Sequence, residues 1–215
     1  FWPRNCGQSD WALRPVTLTV TMTNVSVVHC NCTQASCEIA TLPRIYYAGK
    51  VVGDEMTHWI RYGQDGRTGF GTLNDQTINV YTGDMFVDPI PTGDTLPLEG
   101  VRVLPPTVAG KMLALWNNSR AVAEKMNQSE PSEPLYFIKA NGSYLGSGGT
   151  IYKPQEYDGK VVFEGELGIV VGRECRAVSR SASDSHIFGY TCVNDVTAIG
   201  ILGRDPSFQQ WTRAK

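Results

Sequence analysis

Apolar and polar positions alternate with period two over Val16-Thr17-Leu18-Thr19-Val20-Thr21-Met22-Thr23, the pattern of a strand with one wet face. The same short period returns from Met56 onward as Trp59 to Tyr62, a Gly63-Gln64-Asp65-Gly66 turn, Thr68 to Leu73, an Asn74-Asp75 turn, and Thr77 to Tyr81. Asp-Gly and Asn-Asp between short β-rich runs are hairpin signals, so this stretch reads as a small β meander. Pro89, Pro91, Pro97, Pro105 and Pro106 then mark extended or turn backbone, read as a linker between two subdomains, with Val101 to Leu104 as a strand within it.

Beyond the prolines, Lys111 to Trp116 is an apolar strand, and Ser119 is placed to cap a helix from Arg120 to Asn127, with Ala121, Val122 and Lys125 at helical spacing. Leu135 to Lys139 is the next strand. It ends at the glycine-rich Gly142 to Thr150, which reads as turns because a phosphate-cradling loop would close on Gly-Lys-Ser/Thr. An apolar run from Val161 to Val171, a polar stretch from Ser179 to His186 fit for a short helix, and a strand from Gly189 to Val193 complete the pattern. The class is α+β and mainly β.

Composition narrows the partners. The 215 residues are 41% hydrophobic, enough for one large core or two modest ones, and carry a net charge of −2. Lys and Arg are scattered, which leaves no basic surface for nucleic acid. No run of 18 apolar residues is present, and Phe1 to Cys6 has neither a basic nor an apolar leader region, so no membrane partner is expected. Four of the six cysteines, Cys6, Cys30, Cys32 and Cys37, crowd the first 37 residues. His29-Cys30-x-Cys32-x4-Cys37 offers four metal ligands, but structural zinc sites favour paired Cys-x2-4-Cys and His-x3-5-His spacings. A Thr-rich stretch with incidental thiols and a Cys-rich interaction module both remain open there.

The strongest chemical signal is Glu164-Gly165-Glu166 inside the apolar run. Carboxylates at i and i+2 of one strand share a face, about 7 Å apart at Cα. At an effective dielectric near 20, two carboxylates some 6 Å apart repel by about 3 kcal/mol, and desolvation adds to that cost. A cation between them removes the penalty. Asn194-Asp195 at the end of a later strand supplies a third carboxylate. Three hard oxygen ligands suit Mg²⁺, Mn²⁺ or Ca²⁺, with positions left open for water or substrate.

Phe163-Glu164-Gly165-Glu166-Leu167-Gly168-Ile169-Val170-Val171-Gly172, Phe188 to Ala198, and Trp211-Thr212-Arg213-Ala214-Lys215 together resemble the fumarylacetoacetate hydrolase family. Lys111 to Asn117 and Pro134 to Lys139 resemble that family's entry into its catalytic domain, and Trp59 to Pro106 is similar to the small β domain often preceding it. The resemblance implies a β-roll of mixed sheets and short helices, with Glu164, Glu166 and Asp195 holding a divalent ion. The ion would act as a Lewis acid on a 2-oxo acid or 1,3-dicarbonyl substrate as an enolate develops, chemistry that serves C–C hydrolysis, decarboxylation or keto-enol isomerisation alike. Lys215 matches a family lysine near the substrate carboxylate, Lys139 matches another family position, and Tyr190 is carried over with them as substrate-binding. A homodimer is a further implication. Free thiols and the lack of a leader point to the cytoplasm.

Departures from the family qualify the expectation. Members commonly carry Asn-Tyr-x-x-His-x-x-Glu on a lid, where His and Glu act on water or a proton. Here Asn117 and Glu124 fit, but Ala121 replaces the histidine, and Arg120 is no substitute base. His58 and His186 read as surface residues. Enolisation is therefore better supported than water activation, with Glu124 and Lys215 as the catalytic candidates. The family continues beyond the Arg-Ala-Lys motif, so the roll is expected to be incomplete. Residues 1–55 are expected to be a leader without family counterpart, 56–106 the small β domain, and 107–215 the catalytic domain. The alternative is an inactive metal- or oxyacid-binding relative.

Overall fold

Hairpins organise the first half of the structure, a computed structural model that describes residues 48–52, 55–125, 127–204, 207 and 210–215. The strand expected over Val16 to Thr23 and the group His29, Cys30, Cys32 and Cys37 lie outside these residues. Strands β1 (Ala48–Val52), β2 (Glu55–Gln64), β3 (Arg67–Asn74), β4 (Thr77–Thr82) and β5 (Ile90–Pro97) form the expected meander. Gln64 pairs with Arg67 across Asp65-Gly66, whose φ angles of 50° and 75° give the turn that matches strand twist. Asn74 pairs with Thr77 across the two-residue turn Asp75-Gln76, where Asp75 alone has a positive φ, 51°.

Alternation then divides the side chains between two cores. Ile60 and Tyr62 point to one face of β2, where they pack with Leu73, Ile78 and Leu98. Trp59 points to the other face and joins Met85, Val170 and Phe188. The second cluster is what attaches the acidic segment to the meander. Its strands, β10 (Gly165–Val171) and β11 (Ile187–Asn194), extend the same antiparallel sheet through the pair Gly49↔Tyr190, giving the order β10-β11-β1-β2-β3-β4-β5. Strand β6 (Arg102–Val103) pairs with β2. The order is open, with no closure between its ends among the described residues.

Pro91 and Pro97 do not sit in a linker; they belong to β5, the outermost strand of the sheet. An edge strand has one side without ladder partners, which is where a residue lacking an N–H is tolerated.

Two small sheets carry the rest. Strand β7 (Met112–Trp116) pairs with β8 (Leu135–Lys139), and β9 (Val161–Val162) pairs with β12 (Thr197–Ala198). The helices are short: α1 (Arg120–Lys125), α2 (Ile199–Leu202) and α3 (Trp211–Ala214). Arg180–His186 forms a 3-10 helix where a short helix was expected. The fold is mainly sheet. No helix of the described residues is long and apolar enough to cross a membrane.

Candidate metal centre

The run from Val161 to Val171 is not one strand. It breaks at Phe163-Glu164, with β9 in one sheet and β10 in another. Glu164 therefore precedes β10, and its nearness to Glu166 comes not from one shared strand face but from a crossing of two segments. Gly165 pairs with Asn194 in the large sheet, and Val162 pairs with Thr197 in the small one. Between these pairs each segment has two residues, Phe163-Glu164 and Asp195-Val196, that step from sheet to sheet. Two bonds tie the crossing: Asp195 N donates to Glu164 O at 2.8 Å, and Glu164 N donates to Asn194 Oδ1 at 3.2 Å. Glu164, Glu166 and Asp195 consequently bring carboxylate oxygens within 4.8 Å of one another.

Two lysines converge on the same point. Lys139, at the end of β8, donates its ammonium to Asp195 Oδ1. Lys215, directly after α3, donates to Asp195 Oδ2 at 2.6 Å and to Glu164 Oε2 at 3.0 Å. Lys139, expected from the resemblance to bind substrate, is only 7% exposed and Asp195 3%. Burial of that kind is tolerated by lysine only when it is paired. Thr197, fully buried, donates Oγ1 to Glu164 Oε1 at 2.6 Å. The Asn194 side-chain nitrogen is buried with no acceptor among the described residues.

Charge balance favours a further cation. Three carboxylates face two ammonium groups, and among the described residues no hydrogen bond or ion pair engages the Glu166 carboxylate. Its carboxyl is held above the usual range, first by burial and then by Asp195; Glu164 pushes the same way, while Lys215 and Lys139 pull back. Lys215 sits above the usual ammonium value: burial pulls it down, but its bonds and attraction to Asp195 and Glu164 outweigh that. The donor set of three hard oxygens fits Mg²⁺, Mn²⁺ or Ca²⁺.

An aromatic wall stands beside the cluster. Phe137 shares a face of β8 with Lys139, and its ring centre lies 5.7 Å from Lys215 Nζ. Trp211 stacks on Phe137 at 5.9 Å and meets Trp116 at 4.7 Å. A cavity of about 350 Å³ opens among Trp116, Leu135, Phe137 and Trp211.

Other expected site residues lie apart. Glu124 is exposed on α1, where Ala123 is the residue turned inward. Tyr190 is 46% exposed and paired with Ile169, four positions along β11 from Asn194, roughly 13 Å at strand rise. His58 is half-buried, and burial pushes its imidazole below the usual value. His186 Nδ1 lies 3.1 Å from Glu174 O. Thr197 and the amide of Asn194 were missed as site residues. Their signal was sequence position alone, since both flank Asp195.

The pattern described as fumarylacetoacetate (FAA) hydrolase C-terminal matches residues 111–215, and that described as Rv2993c-like, N-terminal matches residues 57–106. The chain belongs to the fumarylacetoacetate hydrolase family. An uncharacterized protein of Archaeoglobus fulgidus is 40% identical over 123 residues, 57% of this chain and 48% of that protein. The mitochondrial oxaloacetate tautomerase FAHD1 of Arabidopsis thaliana is 35% identical over 106 residues, 49% of this chain and 47% of that protein. The crystal structure of 2-hydroxyhepta-2,4-diene-1,7-dioate isomerase from Mycobacterium marinum superposes with a TM-score of 0.60 at 30% identity, covering 75% of this chain and 61% of that one. The chain spans about half the length of the curated relatives it matches.

Proposed function

We propose that the protein is a divalent-metal-dependent isomerase or tautomerase acting on a small 2-oxo acid or 1,3-dicarbonyl acid. The observation that carries this reading is the convergence of Glu164, Glu166 and Asp195 beside Lys215. These three carboxylates would hold Mg²⁺ or Mn²⁺, which when bound supplies Lewis acidity toward the substrate carbonyl. Lys215 contributes a positive charge to a substrate carboxylate or to the oxyanion of an enolate. The buried setting of Asp195 and Lys139 limits water near the reacting atoms.

Hydrolysis is the less supported branch of the family's chemistry. Water activation needs a base in reach of the site. Glu124 is exposed on α1, Ala121 stands where the lid histidine is expected, and neither His58 nor His186 contributes to the carboxylate cluster. The tautomerase and isomerase names among the relatives support the same choice. A cytoplasmic homodimer belongs to this reading, and the exposed stripe of Leu167, Ile169 and Val171 on β10 is a surface such a dimer would cover.

The test follows the enol absorbance of oxaloacetate and of an acylpyruvate with Mg²⁺, then with a chelator. Metal-dependent interconversion that is lost in Glu166→Ala supports the assignment. Rates no faster than in buffer with either Mg²⁺ or Mn²⁺ would reject it in favour of a binding-only relative.

A further inference from the structure

The two lysines of the cluster are held in different ways. Lys139 is the last residue of β8, where it pairs in register with Met112, and its ammonium is committed to the single oxygen Asp195 Oδ1. Lys215 follows a helix of four residues and divides its ammonium between two carboxylates, Asp195 Oδ2 at 2.6 Å and Glu164 Oε2 at 3.0 Å. It thus spans two of the three groups that would ligate a metal. A divalent ion coordinates carboxylate oxygens at about 2.0–2.6 Å, and the oxygens available lie within 4.8 Å of one another. The gap admits one cation. An ammonium donating to Asp195 Oδ2 and Glu164 Oε2 and an ion coordinated by those oxygens crowd the same two oxygens and repel each other.

We propose that Lys139 is a positioning residue that stays on Asp195 Oδ1 in every state, whereas Lys215 is an exchangeable counter-ion that fills the carboxylate pocket until a divalent cation replaces it. The inference rests on the metal-binding reading above. Lys139 keeps Oδ2 of Asp195 turned toward Glu164. Displacement frees the Lys215 ammonium to meet an anionic substrate, with the Phe137 ring, 5.7 Å from Nζ, as its resting surface. Metal loading and substrate anchoring are therefore linked: the lysine becomes available only when the ion is in place. Lys139, assigned from the family resemblance to substrate, serves the aspartate instead.

Lysine ammonium groups in the ¹⁵N-labelled protein test this directly. Metal-free protein should show two slowly exchanging ammonium signals, assigned through Lys139→Arg and Lys215→Arg. At saturating Mg²⁺ the Lys215 signal should be lost to rapid exchange while that of Lys139 persists. A Lys215 signal unchanged at saturation, or loss of the Lys139 signal instead, overturns the inference and leaves metal binding intact. Absence of Mg²⁺ binding by calorimetry overturns the metal reading itself, and the inference with it. As a second measurement, Lys215→Met should bind Mg²⁺ about tenfold or more tighter, the scale of a released charge-assisted hydrogen bond. Equal affinity in Lys215→Met and wild type would contradict competition.

Discussion

Lys215 Nζ lies 2.6 Å from Asp195 Oδ2, and the two side chains are 6% and 3% exposed. Because Lys139 holds the other oxygen, a single buried carboxylate is shared by two ammonium groups, and Glu164 supplies Lys215 with a second partner. Removing one member of a buried pair leaves charge without a counter-ion, at a cost of about 3–5 kcal/mol. Asp195→Asn should therefore lose stability on that scale. Glu164→Gln should lose less than about 1 kcal/mol, since water screens the partly exposed Glu164 side chain. Urea unfolding of the metal-free protein reads both; equal losses would mean that Asp195 is not the shared counter-ion.

Thr197 offers a neutral probe of the same crossing. Its fully buried hydroxyl orients Glu164 through a 2.6 Å bond to Oε1. Thr197→Val keeps the shape and removes the donor, and should cost about 1–3 kcal/mol. Thr197→Ser should be milder and should retain Mg²⁺ affinity, whereas Thr197→Val should weaken it by releasing Glu164. Calorimetric titration of the two variants with Mg²⁺ checks the difference.

Local pattern made the meander legible: Asp65-Gly66 and Asp75 fix the hairpins through backbone conformations that few residues adopt, the second turn falling one residue later than the expected Asn74-Asp75. It misled at Pro91 and Pro97, because proline marks both linkers and edge strands, and only the partner strand β4 distinguishes them. The acidic cluster was identified by residue type, but for a partly mistaken reason. Apolar flanks disguised the break at Phe163-Glu164, and whether one run serves two sheets depends on pairings with Asn194 and Thr197, some 30 residues away. Lys139 shows the other limit. A lysine ending a strand reads as solvated until its position against Asp195 is known.

Two groups give the metal-free protein opposed pH dependences. The Glu166 carboxyl is raised in the folded state by burial and then by Asp195, so the folded protein binds that proton more readily than the unfolded chain. Its contribution is fully present below the ordinary glutamate range and is lost as pH rises through the raised value. The His58 imidazole is lowered by burial, so its contribution is present above the ordinary histidine range and is lost as pH falls through the lowered value. Glu166→Gln should remove the loss on the alkaline side of the carboxylate range, and His58→Gln should remove the loss on acidification. Thermal unfolding across pH 4 to 8, at constant ionic strength, separates them. Saturating Mg²⁺ should abolish the Glu166 effect and leave that of His58.

The placement of Lys215 depends on Trp211. The Trp211 ring meets Trp116 of β7 at 4.7 Å and Phe137 of β8 at 5.9 Å, and Thr212 donates to Ile138 O at 2.7 Å, so these contacts dock α3 against the β7–β8 pair. A helix of four residues has no stability of its own. Two aromatic contacts at about 0.5–1.5 kcal/mol each, beyond the area they bury, are therefore a large part of what keeps Lys215 on Asp195 and Glu164. Trp211→Ala should lose about 2–3 kcal/mol and should mimic Lys215 displacement, raising Mg²⁺ affinity while weakening the binding of an oxo acid to the loaded protein. Trp211→Phe should restore most of both. A Trp211→Ala protein with unchanged metal and oxo-acid affinities would show that Lys215 is held by its ion pairs alone.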